Sequence, residues 1–152
     1  MNISELIKIL PEVISVDGPL NIEINAVKDD SRQVKEGALF VAVTGNNFDG
    51  HDFIPEVIKR GAKVVIGEKS VVLTKDKTYI RVKDSRKALA ISSAWFYGFP
   101  GDKLQLIGVT GTSGKTTTTY LIRAMLKEVG ASSGVIGTIA NIINDSKLPT
   151  SF

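Results

Sequence analysis

Between residues 104 and 129 the chain changes character twice. An apolar run enters a stretch of Gly, Thr and Ser, meets a single lysine and four threonines, and turns apolar again at helical spacing. Continuous apolar character over a few residues fits a strand buried on both faces. Apolar residues at 121, 122, 125, 126 and 129 fit one side of a helix. The order predicts a strand at 104–110, a loop, a helix over about 115–129 and a further strand at 134–138. Strand, tight loop and helix in succession belong to an α/β architecture.

The loop, Gly-Thr-Ser-Gly-Lys-Thr-Thr at 111–117, has chemistry suited to its place. The first amides of a helix have no intrahelical partner, and the helix dipole adds partial positive charge there. A phosphate satisfies both needs. Gly111 and Gly114 let the backbone take positive φ and come close, so that the amides of Thr112, Ser113 and their neighbours can form an anion nest. Lys115 brings a cation for the β and γ phosphates of ATP, and the Thr116 hydroxyl is placed to ligate Mg2+, with Thr117 beside it. Lys115 is the candidate catalytic residue. The general phosphate-loop pattern wants a glycine five residues before Gly114, where this chain has Val109. A Gly-rich turn with a surface lysine is the plain alternative, but it leaves a run of poor helix formers after Gly-Lys unexplained.

The first hundred residues alternate strand and helix signals. Residues 3–10 put Ile3, Leu6, Ile7 and Leu10 on one helical face, and Pro11 ends it. Residues 21–27 alternate as a half-buried strand, and 38–43 are continuously apolar. Residues 53–61 predict a short helix with Asp52 as its cap and Gly61 as its stop. Two further strands follow at 62–67 and 78–82, then a helix from Asp84 or Ser85 to near Gly98, with Ala88, Ile91, Trp95 and Phe96 inward. Pro100, Gly101 and Asp102 mark a boundary. The expected organisation is a small mixed-sheet α/β domain at 1–98, a linker at 99–103, and the first strand-loop-helix-strand of a P-loop ATPase domain at 104–152. That second piece cannot cover both faces of a sheet by itself, which suggests the front part of a longer design.

Bulk properties narrow the classes. The chain has 152 residues, 43% hydrophobic and 23% charged, a soluble globular balance. A net charge of +3 without a basic block gives nucleic-acid binding little support. The absence of cysteine excludes disulfides and thiolate metal sites. The N-terminus lacks a signal-peptide pattern, and no apolar stretch approaches the roughly 20 residues of a membrane span. A cytoplasmic location, with no membrane partner, is expected.

Gly-Val-Thr-Gly-Thr-Ser-Gly-Lys-Thr-Thr-Thr-Thr closely resembles the ATP loop of the Mur ligases, which usually has Asn where Ser113 stands. A second stretch resembles the same family: Asp-Ser-Arg at 30–32, Gly-Ala-Leu-Phe-Val-Ala at 37–42, Asp-Gly-His at 49–51 and Gly-Ala at 61–62. Their order is most like members that add a diamino acid to UDP-N-acetylmuramoyl-L-alanyl-D-glutamate in peptidoglycan precursor synthesis. The resemblance implies an ATP-dependent ligase working through an acyl phosphate, with a UDP-N-acetylmuramoyl peptide and ATP as ligands. It implies that Ser31 contacts the diphosphate region and that Asn46, Asn47 and Phe48 line the uridine site. Phe48 either stacks on the base or packs under its own turn. Arg32 either pairs with a phosphate or bridges to Asp29 or Asp30. His51, the only histidine, is a general base or orders its loop. Leu-Pro-Thr-Ser-Phe at 148–152, which contains Thr150, resembles the approach to a Thr-Thr pair with which the family contacts the sugar peptide. The family's remaining ligase domains, its carboxylated lysine and its amino-acid-selecting motif have no counterpart in these 152 residues, so catalysis by this polypeptide alone is not expected. A stand-alone UDP-sugar-binding module is one alternative. A folylpolyglutamate or cyanophycin-type ligase is another, set back by the Asp-Ser-Arg and Asp-Gly-His loops.

Overall fold

A computed structural model describes residues 1–45, 48–144 and 146–148. The chain forms two compact units, Met1–Leu104 and Gln105–Phe152.

The first unit is built on a five-stranded sheet. Its strands are β1 (Val13–Asp17), β2 (Ala26–Lys28), β3 (Ala38–Val41), β4 (Val64–Gly67) and β5 (Thr78–Val82). They lie in the order β1-β5-β4-β3-β2, and all neighbours are parallel except the antiparallel edge strand β1. Three helices accompany them: α1 (Ile3–Ile9), α2 (Ile54–Lys59) and α3 (Ser85–Phe96). The continuous apolar runs now have their reason. Side chains alternate across a strand, and here both faces are covered. Leu39, Val41, Val64, Ile66, Ile80 and Val82 join Ile3 and Leu6 of α1 and Ala88 and Trp95 of α3 in one core. Ala38, Phe40, Val65 and Tyr79 meet Ile54 and Val57 of α2 in the other.

The helix expectations hold for α1 and α3. The Asn2 side chain caps α1 by accepting the Ser4 amide, and Asp84 caps α3 by accepting the amide of Lys87 at 2.9 Å. At α2 the expected cap changes. Asp49, not Asp52, accepts an amide, that of His51, and starts a 3-10 turn over Gly50–Phe53. That turn runs directly into α2, so the Ile54 amide finds the His51 carbonyl and needs no side chain. Gly61 ends the segment at φ +97°.

Two strand expectations are corrected. The strand expected at 21–27 contributes a ladder only at β2, because the Ile3 amide takes the Ile22 carbonyl at 3.0 Å and the Ile24 amide takes the Met1 carbonyl at 2.9 Å. Ile22 and Ile24 remain buried. Residues 13–17, in which no strand was expected, form β1.

The second unit holds α4 (Lys115–Glu128) and an antiparallel meander of β6 (Gly134–Ile136), β7 (Asn141–Ile143) and β8 (Ser146–Leu148). The strand at β6 is as expected. The strand expected at 104–110 is not formed: no described strand pairs with it, and a strand without a ladder leaves its amides and carbonyls to water. Leu104, Leu106 and Ile107 are exposed. Beyond β6 the chain adds the antiparallel pair β7–β8, and Asn144, directly after β7, lies in the left-handed region at φ +51°. Val135 and Ala140 are buried, whereas Leu121, Met125 and Val129 of α4 are exposed. No helix among the described residues is long and apolar enough to cross a membrane.

Phe40 is fully buried in the middle of the sheet. Phe40→Ala is expected to lower unfolding stability by about 3–5 kcal/mol, read as a reduced urea midpoint.

Candidate functional site

Parallel strands send their following loops out at one edge. Behind β2 comes the turn Ser31–Gln33, behind β3 the loop from Thr44 to Asp49, behind β4 the residues Glu68 and Lys69, and behind β5 the start of α3. Ser31 and Phe48, far apart in sequence, therefore sit on loops leaving the same ends of neighbouring strands. Asn46 and Asn47 lie outside the described residues, as does Thr150.

Asp30 caps the turn that contains Ser31. It accepts the Arg32 amide at 3.0 Å and grips the Arg32 guanidinium through both oxygens, at 2.9 and 2.8 Å. Arg32 thus bridges to Asp30, the second of its two expected roles, while its side chain stays 84% exposed. These bonds draw the Asp30 carboxyl down to about 2. Phe48 does not pack under its turn: it is 74% exposed, and its carbonyl accepts the Gly45 amide at 2.9 Å.

His51 is buried among polar partners. Its Nδ1 faces Asp49 Oδ1 at 2.6 Å, and its Nε2 accepts the amides of Glu68 at 2.8 Å and Lys69 at 3.3 Å. An Nε2 that accepts leaves the proton on Nδ1, which donates to Asp49. With both nitrogens used, the imidazole orders its loop. The second Asp49 oxygen meets Lys69 Nζ at 2.6 Å. Lys69 and then His51 hold the Asp49 carboxyl well below the usual carboxylate range. Gly67 makes room for this: a Cβ there would come within 2.7 Å of His51 Nε2 and 2.6 Å of the Tyr79 hydroxyl. That hydroxyl, pushed up to about 12 chiefly by burial, donates to the Lys69 carbonyl at 2.6 Å. Arg86 closes the other end of the loop by donating to the Thr44 carbonyl at 2.9 Å. Sequence reasoning missed Lys69 and Arg86, which carry no local motif. Their only signal is that each follows closely after the end of a parallel strand.

In the second unit the glycine-threonine loop leads into α4. Gly114 immediately precedes the helix at φ +76°, offers no side-chain cap, and accepts the Thr118 amide at 2.9 Å. Thr118 thus starts the intrahelical ladder, and the amides of Lys115, Thr116 and Thr117 precede it. Gly111 is at φ +149°, and a Cβ on Gly114 would meet nothing within 4 Å, so the mouth of the loop is open. Lys115 reaches back across it, its Nζ donating to the Gly111 carbonyl at 2.5 Å. Thr112 and Ser113 are exposed, and Thr116 is half-buried. Uncapped amides, bare glycines and one ammonium fit a chain of phosphates. Among the described residues no group of three or more His, Cys, Asp or Glu could hold a metal. A Mg2+ ion at this loop could take the Thr116 hydroxyl, since such an ion keeps several waters and phosphate ligands and needs few protein donors.

Comparison with known proteins follows the two units. The catalytic domain of the Mur ligase family matches residues 23–97, and the Mur ligase middle domain matches residues 109–152. The UDP-N-acetylmuramoyl-L-alanyl-D-glutamate--2,6-diaminopimelate ligase of Clostridium tetani is 45% identical over 151 residues, which is 97% of this chain and 31% of the relative. The chain thus spans about a third of the length of the curated relatives it matches. A solved UDP-N-acetylmuramoyl-L-alanyl-D-glutamate--2,6-diaminopimelate ligase shares the fold at a TM-score of 0.73 and 24% identity, over 98% of this chain and 30% of its own. MurF ligase from Thermotoga maritima, solved in complex with ADP, aligns at a TM-score of 0.50 and 35% identity, over 68% of this chain and 23% of its own.

The two lowered carboxyls set an acid limit. A carboxylate depressed in the folded state stabilises above its unfolded value, near 3.8 here, and loses that contribution as pH falls through its folded value. The loss for Asp30 runs from 3.8 down to about 2, and that for Asp49 continues lower. Urea midpoints at pH 5 and pH 2.5 should therefore differ less in Asp49→Asn than in the wild type.

Proposed function

Since the chain belongs to the Mur ligase family, we propose that it carries the two nucleotide-binding ends of an ATP-dependent ligase acting on UDP-N-acetylmuramoyl-L-alanyl-D-glutamate in peptidoglycan precursor synthesis. The first unit holds the UDP end of that substrate. Ser31 contacts the diphosphate region, and the loop with Asn46, Asn47 and Phe48 takes the uridine. The exposed Phe48 ring supports this, since an aromatic face open to solvent is a stacking surface for a base.

The second unit takes the ATP phosphates at Gly111, Thr112, Ser113, Gly114, Lys115, Thr116 and Thr117. The observation that carries this reading is the uncapped start of α4 behind Gly114, spanned by Lys115. In the reaction, a glutamyl carboxylate oxygen attacks the γ phosphorus, ADP leaves, and an acyl phosphate forms. The amine of a diamino acid then adds to the acyl carbon, and phosphate departs as the amide bond closes. Lys115 exchanges its Gly111 carbonyl for phosphate oxygens and neutralises the charge that builds on the transferring group, the main source of rate in such chemistry. The Thr116 hydroxyl would hold Mg2+ in part, and the ion would supply further positive charge there.

A stand-alone UDP-sugar-binding module is the second reading. It is favoured by the contrast between the two covered sheet faces of the first unit and the exposed apolar residues of α4.

Calorimetry with UDP and with MgATP separates the two. Under the first reading both bind, and Lys115→Ala weakens MgATP by about tenfold or more while leaving UDP unchanged. UDP binding without MgATP binding selects the module. MgATP binding without UDP binding refutes the assignment of the front loops.

A further inference from the structure

Among its described residues, the Thr44–Asp49 loop is tied internally by the Gly45 amide to the Phe48 carbonyl at 2.9 Å, by a backbone bridge between Thr44 and Asp49, and by the Thr44 hydroxyl to Asp49 Oδ1 at 3.4 Å. Phe48 is 74% exposed, so its ring is open to a ligand. Further ties reach both of its ends from outside. At the far end His51 joins Asp49 to the amides of Glu68 and Lys69, and Lys69 returns through its side chain to the other Asp49 oxygen. At the near end Arg86 takes the Thr44 carbonyl. The end of β4 is shaped for the imidazole, because any side chain at Gly67 would strike Nε2.

We propose that His51, with Lys69 as its second arm, is a positioning residue for the nucleotide: through Asp49 it fixes the backbone of Phe48 and so the place from which its ring meets the base. This rests on the reading of the loop as the uridine site. It assigns the only histidine a part in ligand affinity without contact to the ligand and without proton transfer. The geometry accounts for that division. Both ring nitrogens are committed to protein partners, so the imidazole has nothing left to offer a substrate. A carboxylate held from two sides, by contrast, cannot swing, and Phe48 is its immediate neighbour in the chain.

Calorimetry of the 152-residue chain with UDP tests this, together with amide hydrogen exchange. His51→Ala is expected to weaken UDP by about tenfold or more, the scale of losing a hydrogen bond to a charged group. His51→Gln, which keeps an acceptor for the two amides, should recover part of that loss. Exchange at the Gly45 amide should quicken in the same order, while the β3 and β4 amides keep wild-type rates. Should His51→Ala fail to fold, Lys69→Gln carries the test, because it alters a side chain that is 59% exposed and should also weaken UDP. Unchanged UDP affinity in the folded variants overturns the inference. So does a loss of affinity accompanied by equal loosening of β3, which would make His51 merely structural. A wild-type chain that takes no UDP defeats the reading of the loop and this inference with it, whereas a wild type that binds beside variants that bind equally defeats this inference alone.

Discussion

Burial of β3, β4 and β5 on both faces is the constraint from which the first unit follows. A strand covered on both sides has no wall on which a polar group can meet water, and an unpaired one there is costly. The polar exceptions show the rule at work. Thr78 is fully buried and gives its hydroxyl to the Pro19 carbonyl at 2.5 Å, and Tyr79 gives its own to the Lys69 carbonyl. Chemistry is pushed to the strand ends. Because the strands are parallel, the loops that carry Ser31, Phe48, Lys69 and Arg86 share one edge. The sheet does not choose a ligand. It makes a place where residues distant in sequence can act on one.

The second unit works by a different principle. Its candidate phosphate loop draws on backbone geometry within a few residues: a left-handed glycine, an uncapped helix start and a lysine folded back over four residues. None of that needs a deep core, and this unit has a thin one, with Leu121, Met125 and Val129 of α4 exposed. A site made from local geometry can stand in a sparsely packed unit. A site made from several strand ends cannot.

This difference explains what could be read in advance. The glycine-threonine loop and the helix it opens into were legible because their signals are contiguous. The helices α1 and α3 and the strands β3, β4 and β5 were legible from period and composition, since burial acts on each residue in place. The strand β1 was not, because Val13 to Asp17 belongs to the sheet only through pairing with residues more than sixty positions away. The strand expected at 104–110 shows the reverse error: apolar composition without a partner strand makes no ladder. Asp52 lost its capping role to Asp49 because a 3-10 turn precedes α2, and helix periodicity does not register such a turn. The Asp49-Gly50-His51 motif was visible, and loop ordering was one of the two readings of its histidine, but the partners that select that reading were not. The bond from the Glu68 amide to His51 spans 17 positions, and that from Arg86 to Thr44 spans 42.

The same edge holds two ion pairs that look alike and differ in consequence. Arg32 and Asp30 are two positions apart, and Arg32 is almost wholly in water. Their bond shapes one turn, and solvent and salt screen it. An incoming phosphate can take the guanidinium at little cost, so the observed pair does not remove Arg32 from the list of phosphate contacts. Lys69 and Asp49 are also partly exposed, yet they connect the loop after β3 to the end of β4, and Asp49 is bound at the same time to His51. Exchanging Lys69 for a ligand would undo a tie between two strand ends rather than a turn on itself. Of the two cations, Arg32 is the one suited to let go and meet substrate, and Lys69 the one suited to stay. Connectivity decides this, since charge and distance are nearly the same in both pairs.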